Sequence, residues 1–173
     1  IRPAILWNDG RTYKEVDYLN NVLGRKKLSQ LTANIAFAGF TAPKLLWVQK
    51  NEPENFRRIR RIMLPKDFIN YKLTGVLADT PANMIGHMPF DYKNRRWMGE
   101  RDLTRCFCDV PNEKLCDLVP SGTVIGTITD EVCALTGIPA GLPLISTGSD
   151  KGCETLGLAV VDSDKASISL GTT

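Results

Sequence analysis

Histidine is nearly missing from this chain, with His87 the single one among 173 residues. It lies in an irregular stretch and reads as a surface or packing residue. Cysteine offers no metal framework either. Cys106, Cys108, Cys116, Cys133 and Cys153 form an odd set without the paired spacing of zinc sites, and Cys106-x-Cys108 is too close for a structural zinc knuckle. A metal site built from protein ligands alone is not expected, and the thiols read as reduced, several of them buried, in a cytoplasmic protein. No apolar run reaches the length of a membrane span, and the N-terminus lacks a signal-peptide layout. Strong charge is absent as well. A formal net charge of +3 is too small to argue for nucleic acid, and Arg57-Arg58, Arg60-Arg61 and Arg95-Arg96 read as solvated faces or ion pairs. There is no internal repeat and no low-complexity tract.

What remains is ordinary for a globular protein: 43% hydrophobic and 24% charged residues, enough for one good core and about one domain. The chain starts at Ile1 without Met, running straight into the apolar Pro3-Ala4-Ile5-Leu6-Trp7, and stops just after another strand-like run. Both ends look cut through structured elements, so a fragment of a longer polypeptide is expected.

Ile5-Leu6-Trp7 leads into the turn signal Asn8-Asp9-Gly10 and then Arg11. A polar cluster at the end of a strand is where open α/β sheets hold ligands. Trp7 would give a sugar's C–H face a flat wall, with Asn8, Asp9 and Arg11 bonding hydroxyls; alternatively Trp7 is core and the turn only a turn. Thr12 to Leu23 carries a helical face of Val16, Leu19, Val22 and Leu23, stopped by Gly24. Thr41 and Pro43 suit the start of a helix whose Leu45, Leu46 and Val48 pack inward. Another short charged helix follows from Pro53. Ile62-Met63-Leu64 reads as a strand, then Pro65 to Gly75 as a helix with Asp67 complementing its dipole. Val76 to Trp97 suits an extended hairpin or a cap-like segment. Glu100 to Cys108 and Lys114 to Leu118 suggest short helical pieces, Val124 to Ile128 a strand, and Thr129 to Leu135 a helix closed by Gly137. Strand and helix alternate, so the class is α/β.

The C-terminal quarter organises the rest. Leu142-Pro143-Leu144-Ile145 suits a buried strand. Ser146-Thr147-Gly148-Ser149 turns it into a helix striped with Cys153, Leu156, Leu158, Ala159 and Val160, with Asp150 at the junction. A carboxylate there meets free backbone N–H groups and the positive end of the helix dipole. It is either a general base or a helix cap, and the residues alone leave both readings open. A last strand-like run, Ala166 to Leu170, ends in Gly171-Thr172-Thr173, which is a phosphate cradle or simply a turn.

In this order the motifs resemble the FGGY carbohydrate kinase family, nearest its xylulokinase-like branch. Gly39 to Asn51 fits the family's first signature throughout, through Thr41, Lys44, Leu45, Trp47, Val48 and Lys50-Asn51. Support comes from Pro3 to Arg11, from Leu64-Pro65-Lys66-Asp67 with Leu73-Thr74-Gly75, from Gly148-Ser149-Asp150, and from Ser169-Leu170-Gly171-Thr172. The chain departs in carrying Asp150-Lys151 where xylulokinases have Asp-Asn, and Thr80-Pro81-Ala82-Asn83-Met84 where a Ser/Asn-rich stretch is usual.

The resemblance implies an actin-like, ribonuclease-H-like ATPase fold, with residues 1–160 an incomplete N-terminal sugar-binding domain and 161–173 the start of the nucleotide-binding domain. It implies ATP-dependent phosphorylation of a ketose or polyol hydroxyl, with ATP and Mg²⁺ as cofactors and a small sugar or polyol as partner. Neither nucleic acid nor membrane is expected as a partner, and a homodimer is allowed by the apolar surface a fragment would expose. By resemblance Asp150 is the catalytic base, Trp7, Asp9, Arg11 and Lys151 stand at the sugar, and Gly171, Thr172 and Thr173 form a phosphate loop. The family's upstream Asp-x-Gly-Thr loop is not in the chain, so the fragment alone is expected to be inactive. A non-catalytic sugar-binding or regulatory module of the same fold is the alternative.

Overall fold

A computed structural model of the chain describes residues 3–84, 90–99, 110–168 and 170. The first helical stretch is not one regular helix. A 3₁₀ turn at Gly10–Thr12 runs into α1 (Tyr13–Asp17) and then a π turn at Tyr18–Val22, where the Leu23 N–H reaches back to the Tyr18 carbonyl at 3.0 Å. The wider turn shifts the helical phase. Leu19 therefore faces fully inward while Val22, expected beside it, is left exposed. Asn20 takes the inward place, and its amide exchanges two 3.0 Å hydrogen bonds with the backbone of Ala36. That pairing satisfies a buried polar side chain and fixes the loop after α2 (Arg25–Thr32).

α3 (Thr41–Asn51) begins at Thr41 itself, with Phe40 in the capping position, so Thr41 is the first helical residue rather than the cap. Ala42, Leu45 and Leu46 join Leu19 and Leu28 in the main core. α4 (Pro53–Arg58) follows at once, as its proline predicts. Residues 62–64 are extended but form no strand; the Ile62 N–H donates to the Lys114 carbonyl at 2.8 Å, and Pro65 then opens α5 (Pro65–Thr74). Gly75 ends α5 at φ 74°, in the left-handed region expected of a glycine stop.

β1 (Ala78–Asp79) pairs in parallel with β4 (Asp117–Leu118), where a helical turn was expected. β2 (Phe90–Asp91) and β3 (Arg96–Trp97) form a short hairpin at the end of the Val76–Trp97 stretch. Trp97 joins the two clusters of buried side chains, and its indole N–H donates to the Cys116 carbonyl at 2.8 Å. β5 (Val124–Thr127) lies antiparallel to β6 (Pro143–Ile145), with α6 (Asp130–Thr136) between them, capped by the Thr129 hydroxyl and stopped by Gly137. β6 is not the buried strand expected. Ile145 and Val124 are both about half exposed; among the described residues β5 packs chiefly on β6 and α5. α7 (Asp150–Gly157) also turns its apolar residues outward, with Leu156 and Leu158 exposed. Residues 166–168 form no strand, and the calls on His87, on 100–108 and on Gly171, Thr172 and Thr173 lie outside the described residues.

Among the described cysteines Cys116 is buried, Cys133 half-buried and Cys153 exposed. Burial, with Asp67 and Asp79 nearby, pushes the Cys116 thiol up to about 12, so it stays an unreactive packing residue. No helix among the described residues is long and apolar enough to cross a membrane.

Candidate active site

The site residues expected from the sequence fall, within the described residues, into two groups. The first is the Trp7–Thr12 loop seated on α3. The turn is closed by an Asp9 N–H to Leu6 carbonyl bond at 3.2 Å, and Asp9 caps the 3₁₀ turn by accepting from the Arg11 N–H at 2.9 Å. The Arg11 guanidinium also grips both Asp9 oxygens, at 2.9 and 3.0 Å from Nε and 2.7 Å from Nη2. It lies 5.0 Å from the centre of the Trp47 ring, sandwiched between a carboxylate and an aromatic face. Asp9 and Arg11 are thus one rigid unit.

Trp7 is 62% exposed in this chain and does not pack into its core. Its backbone passes so close to Gly39 that a Cβ there would stand 2.9 Å from the Trp7 carbonyl oxygen and 3.1 Å from the Phe37 ring. Glycine at the start of the signature lets the loop sit down. Lys44 of the same signature reaches back and donates to the Gly39 carbonyl at 2.9 Å; burial lowers its pKa, and Asp9 pulls the other way.

The Arg11 hydrogen bonds hold Asp9 down at about 2, from an ordinary value of 3.8. A group depressed on folding adds stability above its unfolded pKa and loses that contribution as pH falls through the folded one. Because the pair is open to solvent, the gain is small. The shift itself is the measurable quantity: in a carboxyl NMR titration Asp9 should titrate near pH 2, and Arg11→Ala should return it toward 3.8. An unshifted Asp9 in the unmodified chain would mean that the clamp does not form in solution.

The second group lies at the β6–α7 junction. Asp150 is the first residue of α7 and is exposed, but it does not cap the helix. Ser149 does, its hydroxyl accepting from the Gly152 N–H at 3.2 Å. Among the described residues Asp150 accepts only from the adjacent Lys151 N–H, at 2.7 Å. Lys151 turns along the helix to Glu154, 2.8 Å away, and that bond raises its pKa. No hydrogen bond or ion pair among the described residues joins Asp150 or Lys151 to Trp7, Asp9 or Arg11.

Beside this junction lies a buried polar cluster in which sequence reasoning assigned Asp67 only to the dipole of its helix and assigned Asp79 no role. Asp79 and Asp67, each with a side chain about 2% exposed, both face the Lys66 ammonium, at 2.5 and 2.7 Å. Asp67 also accepts from the Leu64 N–H at 2.9 Å, closing the first turn of α5. Asp79 accepts from the Thr80 N–H and the Asn83 amide, each at 2.7 Å. The signal available was Asp79 followed by Thr80 and Asn83, the pattern of a side chain that bonds its own backbone.

The model of the N-terminal domain of the FGGY family of carbohydrate kinases matches residues 1–157. The chain belongs to that family. This FGGY chain is 39% identical over 173 residues to a xylulose kinase of Staphylococcus xylosus, covering 99% of the chain and 35% of that protein. It is 37% identical over 172 residues to a xylulose kinase of Escherichia coli K12, with 99% and 34% covered. Its fold matches the crystal structure of a xylulose kinase from Rhodospirillum rubrum with a TM-score of 0.80 at 27% identity, over 91% of this chain and 32% of that one. The FGGY chain thus spans about a third of the length of these relatives and carries part of their actin-like, ribonuclease-H-like fold.

Proposed function

We propose that the enzyme carrying this chain phosphorylates a hydroxyl of a pentulose-type ketose or a polyol at the expense of ATP. The family and the xylulose kinase relatives support the reaction class. In this reading the sugar lies against the open face of Trp7, beside the Asp9–Arg11 unit. Asp9 is saturated by Arg11, so its part is to fix the guanidinium, whose Nη1 makes no hydrogen bond within the described residues and is left for a hydroxyl.

Asp150 is the general base. The observation that carries this is the division of labour at the start of α7: Ser149 caps the helix, leaving the Asp150 carboxylate exposed and free of a structural duty. It takes the proton of the attacking hydroxyl as the new O–P bond forms and ADP leaves. Lys151, turned to Glu154, lends positive charge to the rim. Gly171, Thr172 and Thr173 are proposed as phosphate contacts on their sequence motif, with 161–173 opening the nucleotide-binding domain and 1–160 belonging to the sugar domain. Mg²⁺ is proposed as the companion of the ATP phosphates, where it would offset their charge.

ADP release from MgATP with a panel of pentuloses, hexuloses and polyols tests the proposal. Turnover with a ketose or polyol is expected; sugar binding without ADP release would instead make this a regulatory module. Half-exposed Val124, Leu142 and Ile145 would favour a homodimer or aggregation of the chain by itself, readable by light scattering.

A further inference from the structure

The turn that carries Asp150 is pinned at one point by a residue outside the site described above. β6 is held as far as Ser146, whose N–H donates to the Thr123 carbonyl at 2.9 Å and whose carbonyl accepts from the Gly122 N–H at 2.7 Å. Beyond it Thr147, Gly148 and Ser149 cross to α7. Apart from bonds within α7 and its cap, the only hydrogen bond that ties this crossing to the rest of the described residues is from the Thr80 hydroxyl to the Thr147 carbonyl, at 3.0 Å.

Thr80 is built to hold that bond. It is fully buried, and its N–H is fixed by Asp79 at 2.7 Å. Its hydroxyl oxygen accepts from the Asn83 amide at 3.3 Å, so the hydroxyl proton is directed away from Asn83 and toward Thr147. Asn83 is itself anchored on Asp79, and Asp79 on Lys66. A chain of bonds thus runs from the first turn of α5 through β1 to the turn before α7.

We propose that Thr80 is a positioning residue for phosphoryl transfer, setting the place of Asp150 through the Thr147 carbonyl. The proposal rests on the reading of Asp150 as the base. General-base transfer tolerates little displacement of the acceptor, whereas binding of the sugar at Trp7 and Arg11 does not pass through Thr147. Thr80 should therefore govern kcat rather than KM.

The test uses Thr80→Val and Thr80→Ser in the complete enzyme, alone and combined with Asp150→Asn. Thr80→Val keeps the shape and loses the hydroxyl; it should lower kcat roughly ten- to a hundredfold with the sugar KM within about twofold, and Thr80→Ser should restore most of the rate. In the Asp150→Asn background Thr80→Val should cost little more, because there is no longer a base to misplace. Full additivity of the two losses, or an unchanged kcat in folded Thr80→Val, would overturn the positioning role. A near-normal rate for Asp150→Asn alone would instead remove the base reading, so the two failures are distinguishable. If Thr80→Val does not fold, Asn83→Ala carries the test, since Asn83 is half-buried and orients the hydroxyl while also donating to Asp79. A lower kcat at constant KM supports the proposal there, and an unchanged kcat overturns it.

Discussion

Asp150→Asn is expected to lower turnover by roughly 10²–10⁴-fold, the range for losing a positioned general base, while leaving stability close to that of the unmodified enzyme. The second half of this expectation comes from the structure. Had Asp150 been the cap, its replacement would have mixed a folding effect with a chemical one. With Ser149 accepting from the Gly152 N–H, the cap is untouched in both Asp150→Asn and Asp150→Ala. Ser149→Ala is the complementary variant: it should cost on the order of 1 kcal/mol through the lost cap, with a far smaller effect on chemistry than Asp150→Asn. Sugar affinity should change little in Asp150→Asn, since an amide still bonds a hydroxyl. Turnover and melting temperature for all three variants decide the matter. A well-folded Asp150→Asn enzyme with near-normal turnover would take Asp150 out of the mechanism.

The parts of the fold that were legible in the sequence are those specified by neighbours along the chain. Pro65 and Gly75 bound α5, Thr129 and Gly137 bound α6, and the Asn8-Asp9-Gly10 turn forms where its residues direct. Local backbone preference decides each of these. What was not legible depends on distant partners. Nothing near Asp117 announces that it will pair in parallel with Ala78, and residues 62–64 have strand-like composition but only one backbone bond to Lys114. The π turn at Tyr18–Val22 was hidden because the buried Asn20–Ala36 exchange that accompanies it is a contact between separate elements. The site divides along the same line. The Trp7 loop and Asp150 sit in recognisable motifs, whereas Thr80 draws its importance from a bond to Thr147, far along the chain, for which no spacing rule exists.

The largest expected loss of stability falls on Asp79. Replacing it with alanine removes the acceptor of three donors at once: the Lys66 ammonium, the Thr80 N–H and the Asn83 amide. Breaking a buried ion pair on one side costs about 3–5 kcal/mol, but the Lys66 side chain is 42% exposed and can turn to water or keep Asp67. The Thr80 N–H has no such escape. A loss of about 2–4 kcal/mol is therefore expected for Asp79→Ala, read as a lower urea midpoint at constant slope. Lys66→Met removes the cation and leaves two buried carboxylates facing one another, and its signature is in the pH dependence. Burial already raises the Asp67 pKa; the Lys66 hydrogen bond opposes that shift, and the charge of Asp79 adds to it. A carboxyl whose folded pKa lies above its unfolded 3.8 binds more protons when folded, so stability falls as pH rises through the window between the two values. Without Lys66 that window widens upward, because the one opposing charge is gone. The Lys66→Met enzyme should thus gain stability relative to the unmodified one as pH is lowered from neutral toward 4. A stability deficit independent of pH would mean that Lys66 holds α5 to β1 by packing of its stem rather than by its charge.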